Sequence, residues 1–133
     1  MAVAATKHVI LLVEDEPLIR EALASHLENC GFTVIQTGSA IAAIGLLMQP
    51  LSAVDLVFTD VLMPGIMDGL SLAKWMTKHR PEIPVIVTTG DAGKAVAVKE
   101  LCGAEALRKP FNYDHVTDTI RASISGRAPV NPH

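Results

Sequence analysis

Short apolar runs along the chain alternate with longer segments in which apolar residues recur at helical spacing. The short runs are rich in Val and Ile and predict strands over residues 8–13, 32–36, 55–59, 84–89 and 104–108. The longer segments predict helices that begin near residues 17, 39, 68, 94 and 112 and reach about residues 30, 48, 79, 101 and 125. The expected N-caps are Ser39, Asp68, Asp91 and either Asn112 or Asp114, and the expected helix-ending glycines are Gly31 and Gly103.

The strand segments are almost continuously apolar, which indicates a sheet that helices cover on both faces. Such sheets are parallel, and right-handed crossovers between their strands produce three layers. The sequence therefore predicts an α/β, doubly wound, five-stranded parallel sheet with five helices. Ligands of this fold class bind outside the carboxyl ends of the strands.

Composition narrows the function classes. The chain has 133 residues, enough for one domain, and its net charge of −3 comes without any basic block, which argues against a nucleic-acid partner. The first apolar run is cut off by Glu14 and is too short for a signal peptide or a membrane helix, so we expect a cytoplasmic protein that binds no membrane. Cys30 and Cys102 lack metal-ligand spacing and are expected to be reduced, half-buried thiols.

Chemically active side chains stand at four of the predicted strand ends. The first strand ends in Glu14-Asp15, the third in Asp60, the fourth in Thr88-Thr89-Gly90 and the fifth in Lys109-Pro110. Clustered carboxylates repel one another, and oxygen ligands without His or Cys favour Mg²⁺, with Mn²⁺ as a possible substitute, over zinc. A carboxylate beside such a cation is able to attack a phosphoryl group, and a lysine supplies a positive charge for the phosphate.

Four motifs in order identify a family resemblance. They are VEDEP at 13–17, Asp60 followed by MPG and DG within 63–69, TTG at 88–90 and RKP at 108–110. Together they resemble the receiver domain of two-component response regulators over about residues 7–125. The resemblance implies a flavodoxin-like sheet with strand order 2-1-3-4-5.

The resemblance also implies residue roles. Asp60 would be the phospho-acceptor, and the metal ligands would be Glu14, Asp15, Asp60 and the backbone carbonyl of Leu62. Lys109 would bridge to the phosphoryl group, and its bond to Pro110 would be cis. Thr89, which a small residue follows, matches the switch hydroxyl of the family, whereas Thr88 is expected to be structural.

The expected biology follows from the same resemblance. Residues 1–126 would form a stand-alone receiver, with a receiver excised from a hybrid kinase as the alternative, and residues 127–133 a disordered tail. The receiver would be a monomer or weak dimer. A sensor histidine kinase or a histidine phosphotransfer protein would donate the phosphoryl group, and a downstream protein would bind the face formed by the fourth helix, fifth strand and fifth helix. Such a domain catalyses only its own phosphorylation and dephosphorylation and is not a turnover enzyme.

Two positions depart from the family pattern. Ala106 stands where many members carry Tyr or Phe, so we expect activation to pass through Thr89 and the fourth helix instead. Leu62 is apolar and is unable to orient a water, which predicts a slowly decaying aspartyl phosphate.

Two other function classes remain open from the sequence. A phosphorylation-independent adaptor of the same fold is disfavoured by the intact acceptor, acids and lysine. A small phosphatase or flavin-binding protein is disfavoured because no Gly-rich phosphate loop follows the first strand.

Overall fold

The structure is a computed structural model that describes residues 7–49, 53–61 and 67–126. Within these ranges five parallel strands form one sheet in the order β2-β1-β3-β4-β5. The strands are β1 Val9–Val13, β2 Thr33–Thr37, β3 Leu56–Asp60, β4 Val85–Thr89 and β5 Glu105–Arg108. The helices are α1 Pro17–Asn29, α2 Ala40–Leu47, α3 Gly69–His79, α4 Ala92–Cys102 and α5 Tyr113–Ile124. The predicted fold class, strand order and alternation of elements are confirmed.

Two hydrophobic clusters, one on each face of the sheet, make the three layers. Alternate residues of each inner strand point to opposite faces, so Val57 joins one cluster and Phe58 the other. Helices α2, α3 and α4 pack on the Val57 face, and α1 and α5 pack on the Phe58 face. The central strands are therefore buried on both sides, as their near-continuous apolar sequence predicts.

The element boundaries correct the sequence prediction at several ends. The third strand ends on Asp60, as the sequence predicts, since Asp60 pairs with Thr88 and the next amide, that of Val61, donates to the Thr88 carbonyl at 2.9 Å. Helix α4 begins at Ala92, directly after Asp91, whose side chain accepts a hydrogen bond from the Lys94 amide. Of the two candidate caps for the last helix, Asn112 is the one that bonds the helix start.

The ends of two helices confirm their predicted terminators. Gly103 follows α4 in the left-handed conformation at φ 63°, and Gly31 follows the α1 cap at φ 99°. Both cysteines are free thiols; Cys30 is half-buried as expected, but Cys102 is only 9 % exposed because it faces the core from α4. Among the described residues, no helix is both long enough and apolar enough to span a bilayer.

Candidate phosphoryl-acceptor and cation site

Asp60 and Lys109 form an ion pair at the carboxyl edge of the sheet. The Lys109 Nζ donates to Asp60 Oδ2 at 2.7 Å, with side-chain exposures of 41 % and 14 % respectively. The pair forms because the β4–β5 register continues past β5, where the Lys109 amide donates to the Thr89 carbonyl at 2.9 Å. The Lys109–Pro110 peptide bond is cis, as expected. The structure thus brings together two of the predicted site residues from strands that are not sequence neighbours.

Glu14 lies beside this pair at the end of β1 and is only 6 % exposed. Its Oε2 is the buried side-chain oxygen that lacks a hydrogen-bond partner among the described residues. Burial raises the pKa of Glu14, and repulsion from Asp60 and Asp15 raises it further, while the positive charge of Lys109 opposes the shift. A buried carboxylate oxygen with no partner is a costly arrangement that a bound cation would relieve.

Asp15 follows Glu14 and is exposed in the turn before α1. Within the described ranges, no group of three His, Cys, Asp or Glu side chains is arranged to hold a metal ion by itself. A cation here would draw its remaining ligands from water, backbone carbonyls or phosphate, which is how Mg²⁺ commonly binds. The predicted Leu62 carbonyl ligand falls outside the described residues, so that assignment and the slow-decay expectation remain predictions.

A cavity of about 480 Å³ opens above the ion pair. Its charged lining comes from Glu14, Asp60 and Lys109, and apolar side chains form the rest of its wall, among them Ile19 and Phe111. Thr88 also lines the cavity, although the sequence predicts a structural role for this residue. Its position at the site comes from the pairing of Thr88 with Asp60 across β3 and β4, which the TTG motif does not reveal.

Thr89 faces the start of α4. It is 1 % exposed, and its hydroxyl accepts a hydrogen bond from the Asp91 amide at 3.1 Å. Asp91 is the N-cap of α4, and backbone hydrogen bonds from Lys94 and then Gly93 hold the pKa of its carboxyl below the ordinary value. The Thr89 hydroxyl, the predicted switch group, is therefore hydrogen-bonded to the N-cap of α4, the helix that is expected to shift on activation.

Gly69 is a residue whose importance the motif alone does not explain. A Cβ placed on Gly69 would overlap the backbone carbonyl oxygen of Asp60. The first residue of α3 thus packs directly on the backbone of Asp60, and only glycine permits that approach. Ala106, in place of the family aromatic, is half-buried and packs against the cluster on the α4 side of the sheet.

Comparison with known proteins agrees with this geometry. Residues 10–121 match the family described as the response regulator receiver domain. The chain belongs to the response regulator receiver family. Its members are the receiver domains of two-component systems, and the resemblance stated from the four motifs is confirmed.

Several curated relatives contain a similar region within a longer protein. The transcriptional regulatory protein FixJ of Azorhizobium caulinodans is 38 % identical over 88 % of this chain and 55 % of its own length. FixJ of Bradyrhizobium diazoefficiens is 32 % identical over 94 % of this chain and 60 % of its own length. In the sensor kinase CckA of Brucella abortus, 33 % identity covers 86 % of this chain but 12 % of that protein. The chain therefore spans 60 % or less of the length of these relatives.

Solved receiver structures superpose on nearly the whole chain. A response regulator receiver domain protein from Clostridium thermocellum matches with a TM-score of 0.81 and 27 % identity, covering 88 % of this chain and 94 % of that one. The response regulator TrrA from Thermotoga maritima, solved in complex with Mg²⁺ and BeF, matches with a TM-score of 0.75 and 28 % identity over 86 % of this chain and 97 % of that one.

Proposed function

We propose that this receiver accepts a phosphoryl group on Asp60 from a phosphohistidine of a sensor kinase or a histidine phosphotransfer protein. The observation that carries the proposal is the cavity in which the Asp60–Lys109 ion pair and the unpartnered oxygen of Glu14 lie together. A carboxylate that attacks a phosphoryl group needs a nearby positive charge for the phosphate oxygens, and Lys109 supplies it.

The transfer breaks one bond and forms one. An oxygen of Asp60 attacks phosphorus, a P–O bond forms, and the P–N bond to the partner's imidazole breaks with its electron pair leaving on the ring. Lys109, already 2.7 Å from Asp60 Oδ2, needs only a small movement to pair with an oxygen of the incoming phosphoryl group. The low exposure of Asp60 limits competing contact with bulk water.

Mg²⁺, or Mn²⁺ in its place, is the cofactor that the donor set suits. Glu14, Asp15 and Asp60 offer hard oxygen ligands, and the unpartnered Glu14 Oε2 is the observation that fits a cation. The bound ion would neutralise phosphoryl and carboxylate charge during the transfer. The Mg²⁺ in the related TrrA complex supports this choice.

The signal would leave the site through Thr89 and α4. The Thr89 hydroxyl accepts from the Asp91 amide, so a move of that hydroxyl toward a phosphoryl oxygen would release the N-cap residue of α4. Val96 and Leu101 on α4 are 53 % and 63 % exposed, which suits contact with a protein effector at the α4–β5–α5 face. The small side chain of Ala106 makes this route independent of an aromatic switch.

Mass spectrometry tests the proposal directly. The parent and Asp60→Asn are each incubated with acetyl phosphate and Mg²⁺. We expect the mass of one added phosphoryl group in the parent, none in Asp60→Asn, and none in the parent when EDTA replaces Mg²⁺. An unmodified parent would leave the phosphorylation-independent adaptor as the better account of this fold.

A further inference from the structure

The backbone of Glu14 makes hydrogen bonds through both its amide and its carbonyl. Its amide donates to the Thr37 carbonyl at 3.1 Å, which ties it to the end of β2. Its carbonyl accepts a hydrogen bond of 2.8 Å from Nη1 of Arg20, which comes from the first turns of α1. The turn that carries the two acids is therefore held between a neighbouring strand and a charged donor on the following helix.

These two hydrogen bonds hold Glu14 at a place where the charges of Asp60 and Asp15 repel its side chain. Glu14 is buried and faces Asp60 with an oxygen that has no partner, so side-chain electrostatics favour moving it away from the site. The two backbone hydrogen bonds hold the residue in place without using either carboxylate oxygen. The partnerless Oε2 thus stays available for a cation.

The structure also makes room for the arginine. A Cβ added to Gly38 would lie 3.3 Å from Arg20 Nη1, closer than an ordinary contact. The glycine that follows β2 therefore leaves space for the guanidinium beside the Glu14 carbonyl. Arg20 itself is half-buried, which favours a fixed position over a freely moving side chain.

We propose that Arg20 is a positioning residue of the cation site, acting through the Glu14 carbonyl to hold the Glu14-Asp15 turn in its metal-binding position. The proposal rests on the proposed function, because it needs Mg²⁺ to bind at these acids. Residues that orient metal ligands from outside the ligand set are worth about 10- to 100-fold in metal affinity. Neither the VEDEP motif nor its spacing assigns any role to Arg20.

If Arg20 acts only through its charge, its removal changes the Mg²⁺ affinity in one direction; if it positions the acidic turn, its removal changes the affinity in the other. Loss of a nearby positive charge by itself would strengthen the binding of a cation. Loss of the hydrogen bond to the Glu14 carbonyl frees the acidic turn and weakens the binding. The direction of the change in Mg²⁺ affinity therefore separates the two explanations.

Isothermal titration calorimetry with Mg²⁺ alone measures that direction. We expect Arg20→Met to bind Mg²⁺ about 10-fold more weakly than the parent and Arg20→Lys to recover part of the loss, since an ammonium is also able to donate to a carbonyl. Arg121→Met is the matched control, because Arg121 donates to the Cys30 carbonyl at 3.2 Å, away from the cation site, and the charge change is the same. Its Mg²⁺ affinity should equal that of the parent.

The result for the parent tests Mg²⁺ binding itself, and the result for Arg20→Met tests the positioning role of Arg20. A parent that binds no Mg²⁺ contradicts the proposed function itself. A parent that binds Mg²⁺ while folded Arg20→Met binds as tightly or more tightly overturns the positioning role of Arg20. If circular dichroism shows that Arg20→Met does not fold, Arg20→Gln, which lacks the charge and the reach, is judged by the same criterion.

Discussion

Gly69, the first residue of α3, packs so closely on Asp60 that a single added carbon would overlap the backbone carbonyl oxygen of Asp60. The Gly69 amide also donates to the Val61 carbonyl at 3.0 Å, which fixes the helix start against the strand end. The position of the Asp60 backbone is thus set by a residue nine positions later in the chain.

Gly69→Ala should destabilise the fold and disturb the site. The obstructing atom belongs to the backbone, so relief requires a shift of α3 or β3 and a cost of about 1–3 kcal/mol in the free energy of unfolding. Urea unfolding measures the cost. Gly45→Ala is the control, because a Cβ there meets no atom within 4 Å; it should raise stability by about 0.5–1 kcal/mol. Equal stability of the two variants would contradict the close approach.

Lys109→Met should slow phosphorylation of Asp60 while the domain stays folded. The variant keeps the length of the side chain but removes the charge that lies 2.7 Å from Asp60 Oδ2. Loss of one donor to a developing phosphoryl charge costs about 10²-fold in rate. Initial rates with acetyl phosphate and Mg²⁺ provide the measurement, and Lys99→Met, on α4, provides a charge-matched control. A rate equal to that of the parent would remove Lys109 from the mechanism.

Glu14→Gln should stabilise the metal-free protein and reduce its response to Mg²⁺. Burial and repulsion from Asp60 and Asp15 raise the pKa of Glu14, so the carboxylate is destabilising at neutral pH when no cation is present. Its neutral isostere removes the repulsion, and we expect a gain of about 1 kcal/mol. Thermal unfolding with EDTA and with Mg²⁺ should show a higher metal-free Tm and a smaller Mg²⁺-dependent rise in the variant. A Tm below that of the parent in EDTA argues against the repulsion.

Thr89→Val should uncouple α4 from the site. Valine keeps the branched shape but loses the oxygen that accepts from the Asp91 amide. Amide spectra with and without beryllofluoride should show changes across α4 in the parent and few changes there in Thr89→Val. Thr33→Val is the control, since Thr33 pairs with Val9 at the start of β2, at the opposite end of the sheet from Asp60. If both variants respond like the parent, the route through Thr89 is wrong.

The fold could be predicted from the sequence because its signals are local and repeated. Continuous apolar runs such as residues 85–87, flanked by capping residues such as Asp91, mark each strand and helix without reference to the rest of the chain. The parallel arrangement follows from those runs, since only a strand buried on both faces is apolar throughout. The boundary errors fall at ends such as the start of α4, which lies at Ala92 rather than near Lys94 because Asp91 caps the helix directly.

The sequence predicted which side chains lie together at the edge of the sheet, but not the contacts that they make. Asp60, Glu14 and Lys109 could be assembled from the sequence because carboxyl ends of parallel strands share one edge. Three details depend instead on strand register and side-chain direction. They are the partnerless oxygen of Glu14, the position of Thr88 in the cavity and the hydrogen bond from Arg20 to the Glu14 carbonyl. Those quantities arise from contacts between residues far apart in the chain.

The sequence by itself determined the layered fold and which charged side chains stand at the carboxyl ends of the strands, because these depend on hydrophobic period and on which residues end each strand. Only the tertiary structure decided how closely Gly69 packs on Asp60, that Thr88 lines the cavity and that Arg20 bonds the Glu14 carbonyl. Those details follow from close packing, in which a shift of one residue in register or a single methyl group changes which atoms meet.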